Sequence, residues 1–119
     1  MRRTLAALAA GSIVVFALHG GPAAARAPSG GTFRCRLSAT KLGPQIEVTF
    51  RLRSSESARS WRVRMWNGGV KFADRTRTTD SHAALRVVAT TKDRPGRDAI
   101  VAIARDLDTG LRCAVELTI

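Results

Sequence analysis

The chain has 119 residues, of which 45% are hydrophobic, and a formal net charge of +11 at neutral pH. This length fits one domain, with a core that is large enough to fold but not generous. The chain has only two cysteines, which excludes a structural zinc site of the four-cysteine type.

The amino terminus has the pattern of a secretory signal peptide. Arg2 and Arg3 precede an apolar run over residues 5–18, and an alanine-rich stretch follows up to Ala27. A basic start, a short apolar middle and small residues at the end are typical of such signals. The apolar run has about 14 residues, whereas a bilayer-spanning helix needs roughly 20, so a retained membrane anchor is the weaker interpretation.

Two cleavage points fit the small-x-small rule, after Ala25 and after Ala27. The second would leave Pro28 beside the scissile bond, and the fixed φ of proline fits a protease cleft poorly. We therefore expect a signal peptide over 1–25, a flexible leader over 26–31 and one domain over 32–119. The mature protein is expected to be extracellular and monomeric, without stable membrane insertion.

The mature domain remains strongly basic. Removal of residues 1–25 leaves 18 basic and nine acidic residues, a net charge of +9. Such a domain attracts anionic polymers such as nucleic acid, teichoic acids or sulfated glycans, and less so at high salt. An arginine- and alanine-rich composition without tyrosine is also typical of high-GC bacterial genomes, so the arginine count alone does not indicate a binding role.

Seven runs of alternating apolar and polar residues predict seven strands. The runs cover residues 33–37, 46–53, 61–66, 70–73, 85–90, 99–104 and 111–119. The sixth is apolar in both phases, as expected for a central strand that is covered on both sides. Asn67-Gly68 predicts a two-residue hairpin turn, because both residues tolerate positive φ. That turn implies that Met65 lies opposite Val70 in the core and that Phe72 is buried.

Cys35 and Cys113 fall on the first and last of these strands, both in the inward phase. A pair of cysteines in an exported chain is expected to form a disulfide. It would close a loop of about 79 residues, for which the chain-entropy estimate is roughly 4–5 kcal/mol as an upper bound.

Seven short strands in fewer than 100 residues predict an all-β fold, a single seven-stranded antiparallel β-sandwich. Trp61 on the third strand and the last hairpin, AIVAIARDLDTGLRCAVELTI, resemble immunoglobulin-like and fibronectin type III-like modules. The resemblance implies an immunoglobulin-like sandwich, although antibody domains join the second and sixth strands by their disulfide. The arrangement is similar to small secreted proteins of high-GC bacteria, which implies no activity.

Two motifs that carry catalytic or metal-binding chemistry elsewhere are better explained here as turns. Asp108-Thr109-Gly110 matches the aspartic-protease triplet, but the apolar run that precedes it in that family is missing. All three residue types also favour turns. Asp106, Asp108 and Gly110 match only half of a calcium loop.

Asp80-Ser81-His82 places a nucleophile type beside a base type. Adjacent residues in an extended loop point apart, so this spacing does not make a catalytic Ser–His pair. We therefore expect no enzyme activity, no cofactor and no metal site.

Arg-x-Arg pairs are the strongest functional signal in the chain. Alternate strand residues share one face, and the guanidinium group suits phosphate and sulfate. The candidate anion-binding face consists of Arg34, Arg36, Arg51, Arg53, Arg62, Arg64, Trp66 and Lys71. Trp66 is the one aromatic residue of the mature chain that is expected to point outward, so we expect at most nonspecific binding of nucleic acid. The alternative is that this face is merely solvated.

These observations predict a secreted, noncatalytic binding module that is stabilised by one disulfide and binds a protein or an anionic polymer. The alternative is a cationic inhibitor or antimicrobial factor that binds anionic polymers through the arginine-rich face. If binding ran through loops instead, residues 54–60, 76–83 and 93–98 would be the adjustable surfaces.

Overall fold

The computed structural model describes residues 15–17, 23–26 and 33–119. Two short strands come first, β1 (Val15–Ala17) and β2 (Ala23–Arg26). Seven longer strands follow: β3 (Phe33–Leu42), β4 (Gln45–Ser54), β5 (Ser60–Asn67), β6 (Val70–Thr78), β7 (Ala84–Lys92), β8 (Ala99–Asp106) and β9 (Arg112–Thr118). The prediction of seven strands after residue 32 is confirmed.

The predicted signal peptide and leader, residues 1–31, lie outside the described residues except for β1 and β2. The two cleavage points therefore stay predictions. Among the described residues no helix is long and apolar enough to cross a membrane.

The strands form two sheets. One has the order β1-β9-β8-β5-β6 and the other β2-β3-β4-β7. The seven long strands pair only antiparallel, whereas β1 runs parallel to β9. Residues from both sheets, such as Phe50 and Met65, are fully buried in one hydrophobic core. The fold is all-β and compatible with a β-sandwich, and the outer faces of its two sheets point in opposite directions.

Alternation explains why the core forms where it does. In β4, Ile46, Val48, Phe50 and Leu52 are buried while the residues between them are not. In β8, Ile100, Ala102 and Ala104 are fully buried, and the other phase is half-buried at Val101 and Ile103. The predicted central position of this strand is confirmed, since β8 lies between β9 and β5, but its outer face is only partly covered.

The predicted disulfide is confirmed. Cys35 on β3 and Cys113 on β9 are bonded, with their Cα atoms 6.5 Å apart, and both are buried. Because β3 and β9 belong to different sheets, the bond joins the two layers through the core.

The predicted register of the β5–β6 hairpin is wrong. Asn67 is not a turn residue but the last residue of β5, where it pairs with Val70. The turn is formed by Gly68 and Gly69, whose φ angles of +56° and +85° are those of a type I′ hairpin turn. Asn67 is held inside the sandwich because its amide group donates hydrogen bonds to Asp98 Oδ1 at 3.0 Å and to a backbone carbonyl at 3.2 Å.

A β-bulge follows this turn and changes which residues face the core. Trp66 pairs with Lys71 but Met65 pairs with Ala73, so Phe72 has no partner across the hairpin. A bulge of this kind shifts the alternation by one residue. As a result Ala73 is buried and Phe72 is only half-buried. Val70, which was expected in the core, is 52% exposed.

Candidate anion-binding site

The eight residues of the predicted face do not form one surface. Four arginines lie on β3 and β4 of the four-stranded sheet, whereas Arg62, Arg64, Trp66 and Lys71 lie on β5 and β6 of the other sheet. The two groups alternate with core residues of their own sheets and therefore point to opposite sides of the molecule. The structure splits the predicted face into two.

Five arginines come together on the outer face of the four-stranded sheet. Strand pairing places Arg34 opposite Arg53, and it places Arg36, Arg51 and Arg86 in one row across β3, β4 and β7. Neighbouring strands are about 4.8 Å apart, and residues two apart on one strand are separated by about 6.7 Å. The guanidinium groups are therefore anchored in two adjacent rows. We call Arg34, Arg36, Arg51, Arg53 and Arg86 the arginine cluster.

Arg86 was missed in the sequence because it stands alone rather than in an Arg-x-Arg pair. The usable signal was its phase, since it alternates with the buried residues Leu85 and Val87. Arg86 lies next to Arg51 only because β4 and β7 pair, and local alternation in the sequence does not predict which strands pair.

The arginine cluster lines a depression of about 490 Å³. The lining also includes one carboxylate, Asp80, so that its five arginines and one aspartate carry a net charge of +4. Fixed positive charge in a concave surface concentrates anions near it. The arrangement is suited to binding phosphate or sulfate groups through several guanidinium forks.

Within the described part of the chain, no arginine of the cluster has a carboxylate oxygen within ion-pairing distance. Arg59 shows the contrast, because its guanidinium group lies 2.8 Å from Glu56 and 3.5 Å from Asp106. Like charges that face each other across a sheet destabilise it. The arginine cluster therefore keeps a repulsion that a bound anion would relieve.

Asp80 serves the turn between β6 and β7. Its Oδ1 accepts hydrogen bonds from the backbone N–H groups of Ala84 at 3.1 Å and His82 at 2.8 Å. These bonds lower the pKa of the Asp80 carboxyl, and the positive charge of Arg53 adds to the effect. Ser81 and His82 lie exposed in this turn. Asp80 is thus ionised at neutral pH and offsets part of the positive charge.

On the opposite sheet, the predicted residues are largely engaged with each other. Arg62 donates two hydrogen bonds to the carboxylate of Asp74, at 3.0 and 2.8 Å, and Lys71 donates a third at 3.0 Å. The bonds from Arg62, and then those from Lys71, hold the pKa of Asp74 far below its usual range. The guanidinium group of Arg64 lies 5.6 Å from the ring centre of Trp66. Two of the three predicted cations on this sheet, Arg62 and Lys71, are therefore already paired with a carboxylate.

Two further arginines lie on that opposite face and continue the row that begins with Arg62, which is opposite Arg105. Arg105 on β8 is opposite Arg112 on β9, and both are exposed. Alternation also places them outward, although they were not among the predicted site residues. They provide an internal comparison for the arginine cluster, since they have the same charge and the same type of pairing.

The turn interpretation of the last loop is confirmed. Asp106 Oδ1 accepts hydrogen bonds from the backbone N–H groups of Asp108 at 2.8 Å and Thr109 at 3.2 Å, and Gly110 has a φ of +75°. The Asp106 side chain is buried and stabilises the loop by accepting these backbone hydrogen bonds. Residues 33–119 contain no group of three or more His, Cys, Asp or Glu side chains placed to hold a metal ion.

Comparison with known protein families and with curated proteins found no match for this chain. The arginine-lined depression is therefore the feature from which a function can be argued.

Proposed function

We propose that this chain is a secreted, noncatalytic binding module that holds anionic polymers in the arginine-lined depression. The observation that carries the proposal is the arginine cluster itself. Five guanidinium groups in two adjacent rows surround one depression, and none of them has a carboxylate partner within residues 33–119. Stable folds normally disperse or pair such charges, so an unpaired cluster supports a binding role.

The proposal includes export and an immunoglobulin-like fold. Export is supported by the signal-like residues 1–25 and is compatible with the disulfide. The fold is supported by the strand order. Strands β3, β4 and β7 are adjacent in one layer, and strands β9, β8 and β5 are adjacent in the other. In the proposed immunoglobulin-like fold these would be strands A, B and E and strands G, F and C. Here β6 extends the second layer.

The same depression supports the alternative of a cationic inhibitor or antimicrobial factor. Both functions begin with capture of an anionic polymer, and they differ only in what the capture does to its target. The binding step is therefore the one to test first.

The test compares two charge-matched double variants on an immobilised sulfated polysaccharide such as heparin. Arg36→Ser/Arg51→Ser removes one pair from the arginine cluster, and Arg105→Ser/Arg112→Ser removes an in-register pair from the opposite sheet. Both lose two positive charges, so nonspecific attraction falls equally. We expect the first variant to elute at clearly lower salt than the second.

Equal elution of the two variants would contradict the proposal, because it would mean that overall charge alone governs retention. The unfolding temperature of each variant must be measured alongside, so that a lower elution salt is interpreted only for folded protein. Elution of the unsubstituted mature domain below physiological salt would likewise contradict it.

A further inference from the structure

The outer face of the four-stranded sheet has the arginine rows at one end and a mixed region with several hydroxyl side chains, Glu47 and Lys92 at the other. The arginine rows occupy one end of the paired strands β3 and β4. The next pair toward the Gly43 turn is Ser38 and Thr49, and Thr90 on β7 lies one row further, opposite Glu47. Ser38 and Thr49 are half-buried and Thr90 is exposed. A ligand that extended from the depression along β4 would therefore meet the hydroxyl groups of Ser38 and Thr49 next, and the carboxylate of Glu47 one row further.

No aromatic side chain projects from the outer phase of β3, β4 and β7. The outward positions are Arg34, Arg36, Ser38, Thr40, Leu42, Gln45, Glu47, Thr49, Arg51, Arg53, Ala84, Arg86, Val88, Thr90 and Lys92. Proteins that bind single-stranded nucleic acid stack its bases on aromatic side chains. This face offers positive charge and hydroxyl groups but no platform for an unpaired base, so its chemistry disfavours single-stranded nucleic acid as the specific ligand.

The arginine cluster covers a larger area than one phosphate or sulfate group can contact. Three strands place the row of Arg36, Arg51 and Arg86 across about 10 Å, and the second row lies about 7 Å away. One phosphate or sulfate group is matched by one or two guanidinium forks. Five arginines over this area therefore suit several anionic groups that are linked to each other.

We propose that the ligand is a base-free polyanion, with sulfate or phosphate groups repeated along a hydroxyl-rich sugar or polyol backbone. The arginine cluster binds the anionic groups, and Ser38 and Thr49 exchange hydrogen bonds with the backbone hydroxyls. This inference rests on the proposed function and narrows its ligand from anionic polymers in general to one chemical class.

The test measures binding of five probes to the mature domain by calorimetry at about 150 mM salt. Two probes carry the proposed chemistry, a sulfated heparin octasaccharide and poly(glycerol phosphate). Three are controls: polyphosphate and oligo-dT of matched charge, and inorganic phosphate. We expect at least one of the first two to bind about tenfold or more tighter than oligo-dT and inorganic phosphate. Which of them binds tells whether the source is a sulfated glycan or a polyol phosphate.

A second variant tests the hydroxyl groups of Ser38 and Thr49 separately from the charge. Ser38→Ala/Thr49→Val leaves the arginine cluster intact and keeps strand-forming residues at both positions. We expect it to weaken the preferred hydroxyl-rich probe about three- to tenfold and to leave polyphosphate binding unchanged. The inference is overturned if oligo-dT or inorganic phosphate binds as tightly as the preferred probe, or if the variant weakens no probe selectively. If no probe binds at all, or if Arg36→Ser/Arg51→Ser has no effect on any of them, the proposed function itself fails.

Discussion

Asp106 is buried, yet its environment favours the charged form. Burial by itself raises the pKa of the Asp106 carboxyl, but the backbone hydrogen bonds from Asp108 and Thr109 and the charge of Arg59 outweigh it, so that the pKa is lowered. Asp106 is 4% exposed and its Oδ2 lies 3.5 Å from Arg59 Nη1. One side chain thus ties the β8–β9 turn to the loop that precedes β5.

The lowered pKa makes the contribution of Asp106 to stability dependent on pH. Since the pKa is lower in the folded than in the unfolded chain, the contribution is fully present above the unfolded value of about 3.9. It is lost as the pH falls through the folded value. We expect Asp106→Asn to lower the free energy of unfolding by about 1–2 kcal/mol at pH 6, because the amide cannot pair with Arg59.

Denaturant unfolding of both proteins at pH 6 and near pH 2 checks this expectation. The difference between them should shrink in acid, where Asp106 becomes protonated in the unsubstituted chain. A difference that is equal or larger in acid would show that the ionised carboxylate is not what stabilises the turn.

At the scale of single elements, Arg51 on β4 favours the proposed anion binding but is expected to destabilise the strand. Arg51 lies in the middle strand, directly between Arg36 and Arg86. Two like-charged neighbours at sheet spacing are unfavourable, and salt screens the repulsion. The strand would be more stable with a neutral β-former at this position.

We therefore expect Arg51→Thr to raise the free energy of unfolding by about 0.5 kcal/mol at low salt while it weakens anion binding. The gain should disappear near 1 M salt, where the screening length is about 3 Å. Arg97→Thr, in the exposed loop before β8, is the control with the same change in charge and should change stability little. Destabilisation by Arg51→Thr at low salt would mean that Arg51 has a structural role.

The elements also show which features local sequence can predict. Strands such as β4 and β8 follow from alternation, because one face of each meets the core. The inward phase of Cys35 and Cys113 likewise made their disulfide predictable. The bulge at Phe72 was not predictable from alternation, because burial of Asn67 against Asp98 moved the turn to Gly68-Gly69. That contact joins residues 31 positions apart.

At the scale of the whole molecule, the candidate site depends on which strands belong to which sheet. The Arg-x-Arg pairs were visible in the sequence, but their division between two opposite faces follows from the strand order. The grouping of Arg86 with Arg36 and Arg51 follows from it as well. Sequence alone therefore identified most of the arginine cluster but could not separate it from Arg62 and Arg64.

The disulfide holds the two layers that carry these faces. Cys35 and Cys113 are 78 residues apart and connect β3 to β9, so the bond closes nearly the whole domain. The chain-entropy contribution for such a loop is about 4–5 kcal/mol at most. For a domain with a modest core this is a large share of a total stability of about 5–15 kcal/mol.

We attribute anion binding to the arginine cluster rather than to the overall positive charge. The most direct test is a titration of the isotopically labelled mature domain with sucrose octasulfate, followed through the arginine Nε–H resonances. We expect the largest, saturable shifts at Arg34, Arg36, Arg51, Arg53 and Arg86, with small shifts at Arg105 and Arg112. Equal shifts at Arg105 and Arg112, or no saturable shift in the arginine cluster, would show that the arginine cluster is not the anion-binding site.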